Sequence, residues 1–163
     1  MNATVVVRAL ASADVPLMRR MLDVFGVAFG DRATYCDCQP DDEYLERLLG
    51  SGGFLAIAAL HEGAVVGGLA GYVLTKFEQR RSEFYIYDLA VAEAHRRKGV
   101  ATAMIAELER IASERGIHVI FVQADHGDDP AIALYSKLGL REDVLHFDIA
   151  PPRSLTERHG AER

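Results

Sequence analysis

Asp88 is the lone charge in the apolar run Tyr85-Ile86-Tyr87-Asp88-Leu89-Ala90-Val91, and His95-Arg96-Arg97-Lys98-Gly99-Val100-Ala101-Thr102 follows close behind. The run reads as a strand, the basic glycine-containing segment as a turn, and the residues beyond it as the start of a long amphipathic helix. A helix N-terminus has unpaired N–H groups and a partial positive charge, which makes it an anion site. Arg96, Arg97 and Lys98 strengthen it in a chain whose net charge is -6. A phosphorylated cofactor is the ligand this predicts. A group of opposite sign, Asp125, Asp128 and Asp129, crowds a polar loop further on. Close carboxylates repel one another and favour a cationic ligand, although Asp128 or Asp129 could equally serve only to cap the helix that follows.

The elements that must hold these groups follow from patterning. Val5 to Leu10 is β-branched and predicts a first strand. Ser12 is placed to cap a helix over about 14–25, with Pro16 in its first turn and Val15, Met18, Leu22 and Phe25 inward. Residues 26–40 are mixed in character, with a turn at Gly30-Asp31. A second helix covers about 41–49 and ends at Gly50-Ser51-Gly52-Gly53. Phe54–Leu60 and Ala64–Leu74, joined by His61-Glu62-Gly63, predict a hairpin. Gly67, Gly68 and Gly71 within its second strand mark a bulge or a close backbone approach. A third strand spans about 82–91. The helix after the basic turn runs over about 99–115, with Val100, Met104, Leu108, Ile111 and Ala112 as its buried stripe. His118–Ala124 is apolar enough for a parallel strand buried on both faces. Pro130 opens a helix to Leu138, Arg141–Ile149 predicts a final strand, and the charged residues 151–163 form a tail. The order β-α-α-β-β-β-α-β-α-β describes a mixed α/β sheet, an antiparallel meander followed by parallel crossover units in one domain over 1–150. It matches neither a doubly wound sheet nor a TIM barrel.

The totals narrow the function classes. With 50% hydrophobic and 26% charged residues the composition is that of an ordinary globular domain. No apolar run approaches the roughly 18–20 residues of a membrane span, and the N-terminus carries no signal-peptide pattern. An acidic balance argues against nucleic acid as the main partner. Cys36 and Cys38 are one residue apart, too close for an unstrained disulfide and without neighbouring metal ligands, which predicts reduced thiols in a cytoplasmic protein. The histidines are scattered, and no metal site is expected.

Of the phosphate motifs, G-x-x-x-x-G-K-[ST] does not occur, and no G-x-G-x-x-G follows a first strand. Gly67-Gly68-x-x-Gly71 sits in mid-strand and opens no helix. The pattern that does fit is [QR]-x-x-G-x-[GA], as Arg96-Arg97-Lys98-Gly99-Val100-Ala101. In its strand–turn–helix setting it resembles the acetyl-CoA site of the GNAT acyltransferase superfamily. Downstream, Asp129-Pro130-Ala131-Ile132-Ala133-Leu134-Tyr135-Ser136-Lys137-Leu138-Gly139-Leu140 resembles that superfamily's N-x-x-A-x-x-L-Y-x-K-x-G-F signature, with Asp129 for Asn and Leu140 for Phe. Further segments, Phe29-Gly30-Asp31-x-Ala33-Thr34-Tyr35, Lys76-Phe77-Glu78-Gln79, Arg81-Ser82-Glu83, Tyr85–Val91, Val122–Asp125, Asp128-Asp129-Pro130 and His146-Phe147-Asp148, are similar to the aminoglycoside 3-N-acetyltransferases of the GNAT type.

The resemblance implies acetyl-CoA as cofactor. The amides of Arg97 to Thr102 (Arg97, Lys98, Gly99, Val100, Ala101, Thr102) would bind its pyrophosphate, with Arg96 adding charge. Leu89, Ala90 and Val91 would pair with the pantetheine arm in a splay beside the next strand, and Ala131 and Tyr135 would line the same side. It also implies attack of an amine on a thioester, with Tyr135 as the acid for the leaving thiol. Asp88 is the candidate base, next to the thioester position, and an N–H in the Asp88–Ala90 region would polarise the carbonyl. The acceptor would be a cationic aminoglycoside, acetylated at its 3-amino group and so inactivated as an antibiotic, gentamicin being the type. Tyr35, Glu78, Glu83, Asp88, Asp125, Asp128 and Asp129 are the candidate contacts. Glu83 falls on the opposite face from Asp88 by alternation unless a bulge intervenes. Asp31, Glu142 and Asp148 are weaker candidates. A homodimer in the cytoplasm completes the expectation. The alternatives are a GNAT enzyme for polyamine or peptide amines, and a catalytically silent CoA-binding module.

Overall fold

The computed structural model describes residues 4–151. Its strands are β1 (Val6–Ala9), β2 (Phe54–His61), β3 (Ala64–Thr75), β4 (Ser82–Val91) and β5 (Ile117–Val122). Its helices are α1 (Val15–Ala28), α2 (Arg32–Tyr35), α3 (Asp42–Gly50), α4 (Val100–Arg115) and α5 (Asp129–Tyr135). The described chain falls into two compact units, one up to His126 and one from Gly127 onward. Among the described residues no helix is long and apolar enough to cross a membrane.

The first unit is a five-stranded mixed sheet in the order β1-β2-β3-β4-β5. The first four strands run antiparallel to their neighbours, and β5 runs parallel to β4. Parallel pairing needs a crossover, and α4 supplies it. Glycines in β3 let the helices sit close to the sheet. A Cβ at Gly68 would collide with Met21 of α1, whereas one at Gly67 would lie 3.2 Å from Met104 of α4. Adjacent residues of a strand point to opposite faces, so α1 and α4 cover the two sides. Met21, Phe25, Leu69, Phe84, Met104 and Leu108 are buried between them, each contributing about 1.5–3 kcal/mol through burial.

Five expectations change. Ser12 lies inside a 3-10 turn, and Asp14 occupies the position before α1. The Asp14 carboxylate accepts from Ala11 N at 2.8 Å and from both Arg8 terminal nitrogens, so the charged side chain fixes the entry to α1. Residues 26–40 contain α2, whose N-cap Asp31 accepts from Thr34 N at 3.1 Å. β5 is not buried on both faces: Val119 and Phe121 remain 43% and 38% exposed. Finally, α5 stops at Tyr135, and residues 141–149 form no strand. That segment opens on three consecutive charges and then sets Val144 and Leu145 side by side, which breaks the period of two. A strand also needs a ladder partner, and it has none among the described residues. The tail assigned to 151–163 lies outside the described residues apart from Pro151.

Candidate functional site

Asp88 lies where β4 departs from regular pairing. β3 pairs Leu74 with Glu83, Tyr72 with Tyr85 and Gly71 with Ile86, but the next residue, Ala70, pairs with Asp88. Tyr87 is therefore the extra residue of a bulge, which shifts the alternation by one. Without it Glu83 and Asp88 would face opposite ways. With it, Glu83, Tyr85 and Asp88 share the face on which Gly68, Ala70 and Tyr72 point toward α1. Alternation along the sequence allows this exception but cannot choose it, because the bulge is a property of the pairing.

Asp88 is half-buried, and no cation lies beside it among the described residues. Burial raises its pKa above the ordinary carboxylate value, and one hydrogen bond, from Tyr35, opposes the rise. The Tyr35 hydroxyl lies 3.1 Å from both carboxylate oxygens. Its ring is held by Phe25, with centroids 5.8 Å apart, and by Phe29 at 5.6 Å. Burial first, and then the Asp88 charge, raise the Tyr35 pKa, so this phenol stays protonated.

The same face carries aromatic surface that patterning did not single out. Tyr87 packs edge-on against Tyr72 at 5.7 Å and Tyr85 at 5.8 Å, and Tyr85 stacks on Phe121 at 4.9 Å. The Tyr85 hydroxyl donates to Gln123 Oε1 at 2.8 Å, tying β4 to the chain beyond β5. Tyr87 is 61% exposed. The available signal was Tyr85-Ile86-Tyr87 itself, since two tyrosines flanking a core isoleucine need a partly solvated face.

The other expected acceptor residues are distributed more loosely. Glu78 and Glu83 meet internal cations: Lys76 Nζ is 3.2 Å from Glu78 and 3.6 Å from Glu83, and Arg81 is 3.9 Å from Glu83. Asp125 is exposed in the segment after β5. In the second unit Asp128 is the N-cap of α5, its side chain accepting from Ala131 N at 3.2 Å, and Asp129 is the first residue of that helix. Tyr135 ends the same helix, and burial followed by the charge of Asp128 pushes its pKa up to about 12.

The basic turn opens α4 as expected. Gly99 is the residue before the helix with φ +80°, a left-handed conformation that costs glycine little, and Arg97 shares it with φ 62°. Arg96 Nε donates to Val91 O at 2.9 Å and Lys98 Nζ to Ala94 O at 2.8 Å, so both cations are folded onto the turn's own backbone. A surface groove passes this turn, lined by His61, His95, Lys98, Gly99, Val100 and Ala103 among others. On β4, pairing with β5 ends at Ile86–Val122. Residues 87–91 thus present a strand edge toward β5 that no strand covers among the described residues. A phosphate-bearing, strand-like ligand fits that combination of free edge and helix mouth.

The chain was compared with known proteins. A model of the acetyltransferase (GNAT) family matches residues 18–140. The crystal structure of an aminoglycoside acetyltransferase from an uncultured soil metagenomic sample is 56% identical, with 91% of this chain and 99% of that one covered and a TM-score of 0.90. A second such enzyme from an uncultured soil sample, solved in complex with sisomicin, is 31% identical over 91% of this chain and 97% of its own, with a TM-score of 0.83. The streptothricin acetyltransferase of Streptomyces lavendulae is 29% identical over 73 residues, which span 45% of this chain and 39% of that protein.

Proposed function

The chain belongs to the acetyltransferase (GNAT) family, enzymes that transfer acetyl from acetyl-CoA, and we propose that its acceptor is the 3-amino group of a 2-deoxystreptamine aminoglycoside. The observation that carries this reading is Asp88: a half-buried carboxylate with no cation beside it among the described residues, on a face with tyrosines and with Glu83. Such a face suits a sugar bearing ammonium groups, which pairs apolar ring surface with positive charge. The soil enzymes, called aminoglycoside acetyltransferases along nearly their whole length, support the same acceptor class.

In this reading the free edge of Leu89 to Val91 and the turn amides of Arg97 to Thr102 hold acetyl-CoA, with Arg96 and Ala131 beside them. Acetyl-CoA supplies the acetyl thioester. The Asp88 carboxylate takes a proton from the acceptor ammonium, directly or through water, so that the nitrogen lone pair becomes available. A backbone N–H near Leu89 would polarise the carbonyl; as the C–N bond forms and the C–S bond breaks, the Tyr135 hydroxyl would give its proton to the leaving sulfur and regain one, through water, from the nitrogen that becomes the amide. Asp125, Asp128 and Asp129 attract further ammonium groups, and Glu78 and Glu83 do so in competition with Lys76 and Arg81. Residues 1–150 act as one domain, and the protein works as a cytoplasmic homodimer.

The test is thiol release from acetyl-CoA with gentamicin, sisomicin, spermidine and a lysine peptide in parallel, followed by NMR of the product. Turnover with the aminoglycosides and an acetyl group on the 3-nitrogen is expected. Turnover with spermidine or the peptide alone would hand the site to the polyamine or peptide reading. Release with none of the acceptors, while acetyl-CoA still binds, would leave only a silent CoA-binding module.

A further inference from the structure

We propose that Tyr35 is a positioning residue for acetyl transfer, its hydroxyl clamping the Asp88 carboxylate in the orientation that receives the acceptor's proton. The inference rests on the reading of Asp88 as the base, and it reassigns Tyr35, which the sequence alone groups with the acceptor contacts.

A phenol has one O–H proton, and the Tyr35 oxygen that carries it lies 3.1 Å from both Asp88 oxygens. A donor set between two oxygens restrains rotation of the carboxylate about its Cβ–Cγ bond. It leaves on each oxygen the acceptor positions directed away from Tyr35, and an ammonium can approach only there. The proton balance is simple. One N–H bond of the ammonium breaks, an O–H bond forms on Asp88, the nitrogen keeps the electron pair, and Tyr35 keeps its own proton throughout.

The clamp is itself braced. Tyr35 is the last residue of α2, which Asp31 caps, and its ring packs on Phe25 and Phe29. The ionisable groups around Asp88 are Tyr35 from α2, Tyr72 from β3, and Tyr85 and Tyr87 from its own strand, with Asp31 acting on Tyr35. The side chains packed on Tyr35 from α1 and its C-terminal end are Phe25 and Phe29, which carry no charge. Among the described residues, the Tyr35 hydrogen bond is the one interaction that favours the ionised carboxylate against burial, and a base must be ionised to act.

The experiment compares wild type, Tyr35→Phe and Asp88→Asn by steady-state kinetics against pH, with sisomicin and acetyl-CoA. Tyr35→Phe keeps the ring and loses only the hydroxyl. Its kcat should fall by about tenfold, the worth of one hydrogen bond to a charged group, with the sisomicin KM little changed. The acidic limb of kcat/KM should move to higher pH, since the group that lowers the Asp88 pKa has gone. A profile superimposable on wild type, or a loss confined to KM, overturns the proposal and returns Tyr35 to the acceptor contacts. Asp88→Asn separates the two levels. If it keeps wild-type kcat, the base reading falls and the clamp with it, whereas an inactive Asp88→Asn beside an unshifted Tyr35→Phe removes the clamp alone. A carbon-13 titration of the Asp88 carboxyl in resting enzyme tests the clamp without turnover: it should titrate at higher pH in Tyr35→Phe, and an unmoved titration refutes the clamp.

Discussion

Asp88 is half-buried with no cation beside it among the described residues, and the desolvation cost of such a carboxylate marks it as a candidate functional group. Its raised pKa places the loss of activity on the acid side: kcat/KM declines as pH falls through the folded value and Asp88 takes up a proton. Asp88→Asn should lower kcat on the order of 10²- to 10⁴-fold, the usual range for a general base, while acetyl-CoA binding by calorimetry stays intact. Tyr135 stands in the opposite case. Burial and the Asp128 charge hold its pKa at about 12, so the acid form persists across the whole working range. A thiol with a pKa near 8.5 leaves fairly easily, so Tyr135→Phe should reduce kcat by only about tenfold, below the common range for acid catalysis. An alkaline limb near pH 10 that vanishes in Tyr135→Phe would contradict the shift.

At the scale of elements, the placement of Tyr35 depends on how closely α2 approaches α1. A Cβ on Gly26 would collide with Cys36 Sγ and lie 3.4 Å from Tyr35 Cβ. Alanine is intrinsically better than glycine inside a helix by about 1 kcal/mol, so a loss of stability in Gly26→Ala reports the collision. We expect a net destabilisation of about 1–3 kcal/mol, as for other overpacked sites, and a fall in kcat like that of Tyr35→Phe. Adding Cys36→Ala should recover most of both, as chemical denaturation and assay of the double variant would show. Gly26→Ala more stable and fully active would mean that α2 is not placed by this contact. The same pair of helices marks the limit of what the sequence revealed. α1 and α4 are legible because each repeats its apolar period over several turns, and the β2–β3 hairpin because an apolar run is followed by a glycine-containing turn. α2 is one turn long, too short to display a period, and the β4 bulge depends on which β3 residue pairs with Asp88. The strand expected at 141–149 is the converse: composition cannot supply a pairing partner, and this segment has none among the described residues.

Over the whole molecule, the proposed function asks an acidic protein to bind both a polycation and an anionic cofactor. The chain has 24 acidic and 18 basic residues, so its overall field draws ammonium groups in and repels phosphate. In the proposed reading the phosphate site is left to local means: N–H groups at the mouth of α4 and the cations of the preceding turn. Short-range hydrogen bonds survive salt, whereas attraction across more than a Debye length, about 10 Å at 0.1 M, does not. Raising ionic strength from about 0.05 to 0.5 M should therefore raise the sisomicin KM by about 3- to 10-fold through lost steering and weaker pairing. The acetyl-CoA KM should stay within about twofold, because screening weakens the repulsion by the whole chain as well as the attraction of the turn. Internal pairs sharpen the expectation. Glu78 and Glu83 are already matched by Lys76 and Arg81, so the salt sensitivity should follow Asp125, Asp128 and Asp129. Asp125→Asn should flatten the sisomicin salt slope more than Glu78→Gln does. Equal slopes in the two variants would show that the acceptor instead displaces Lys76 from its carboxylates, making the internal ion pair a competitor for the substrate.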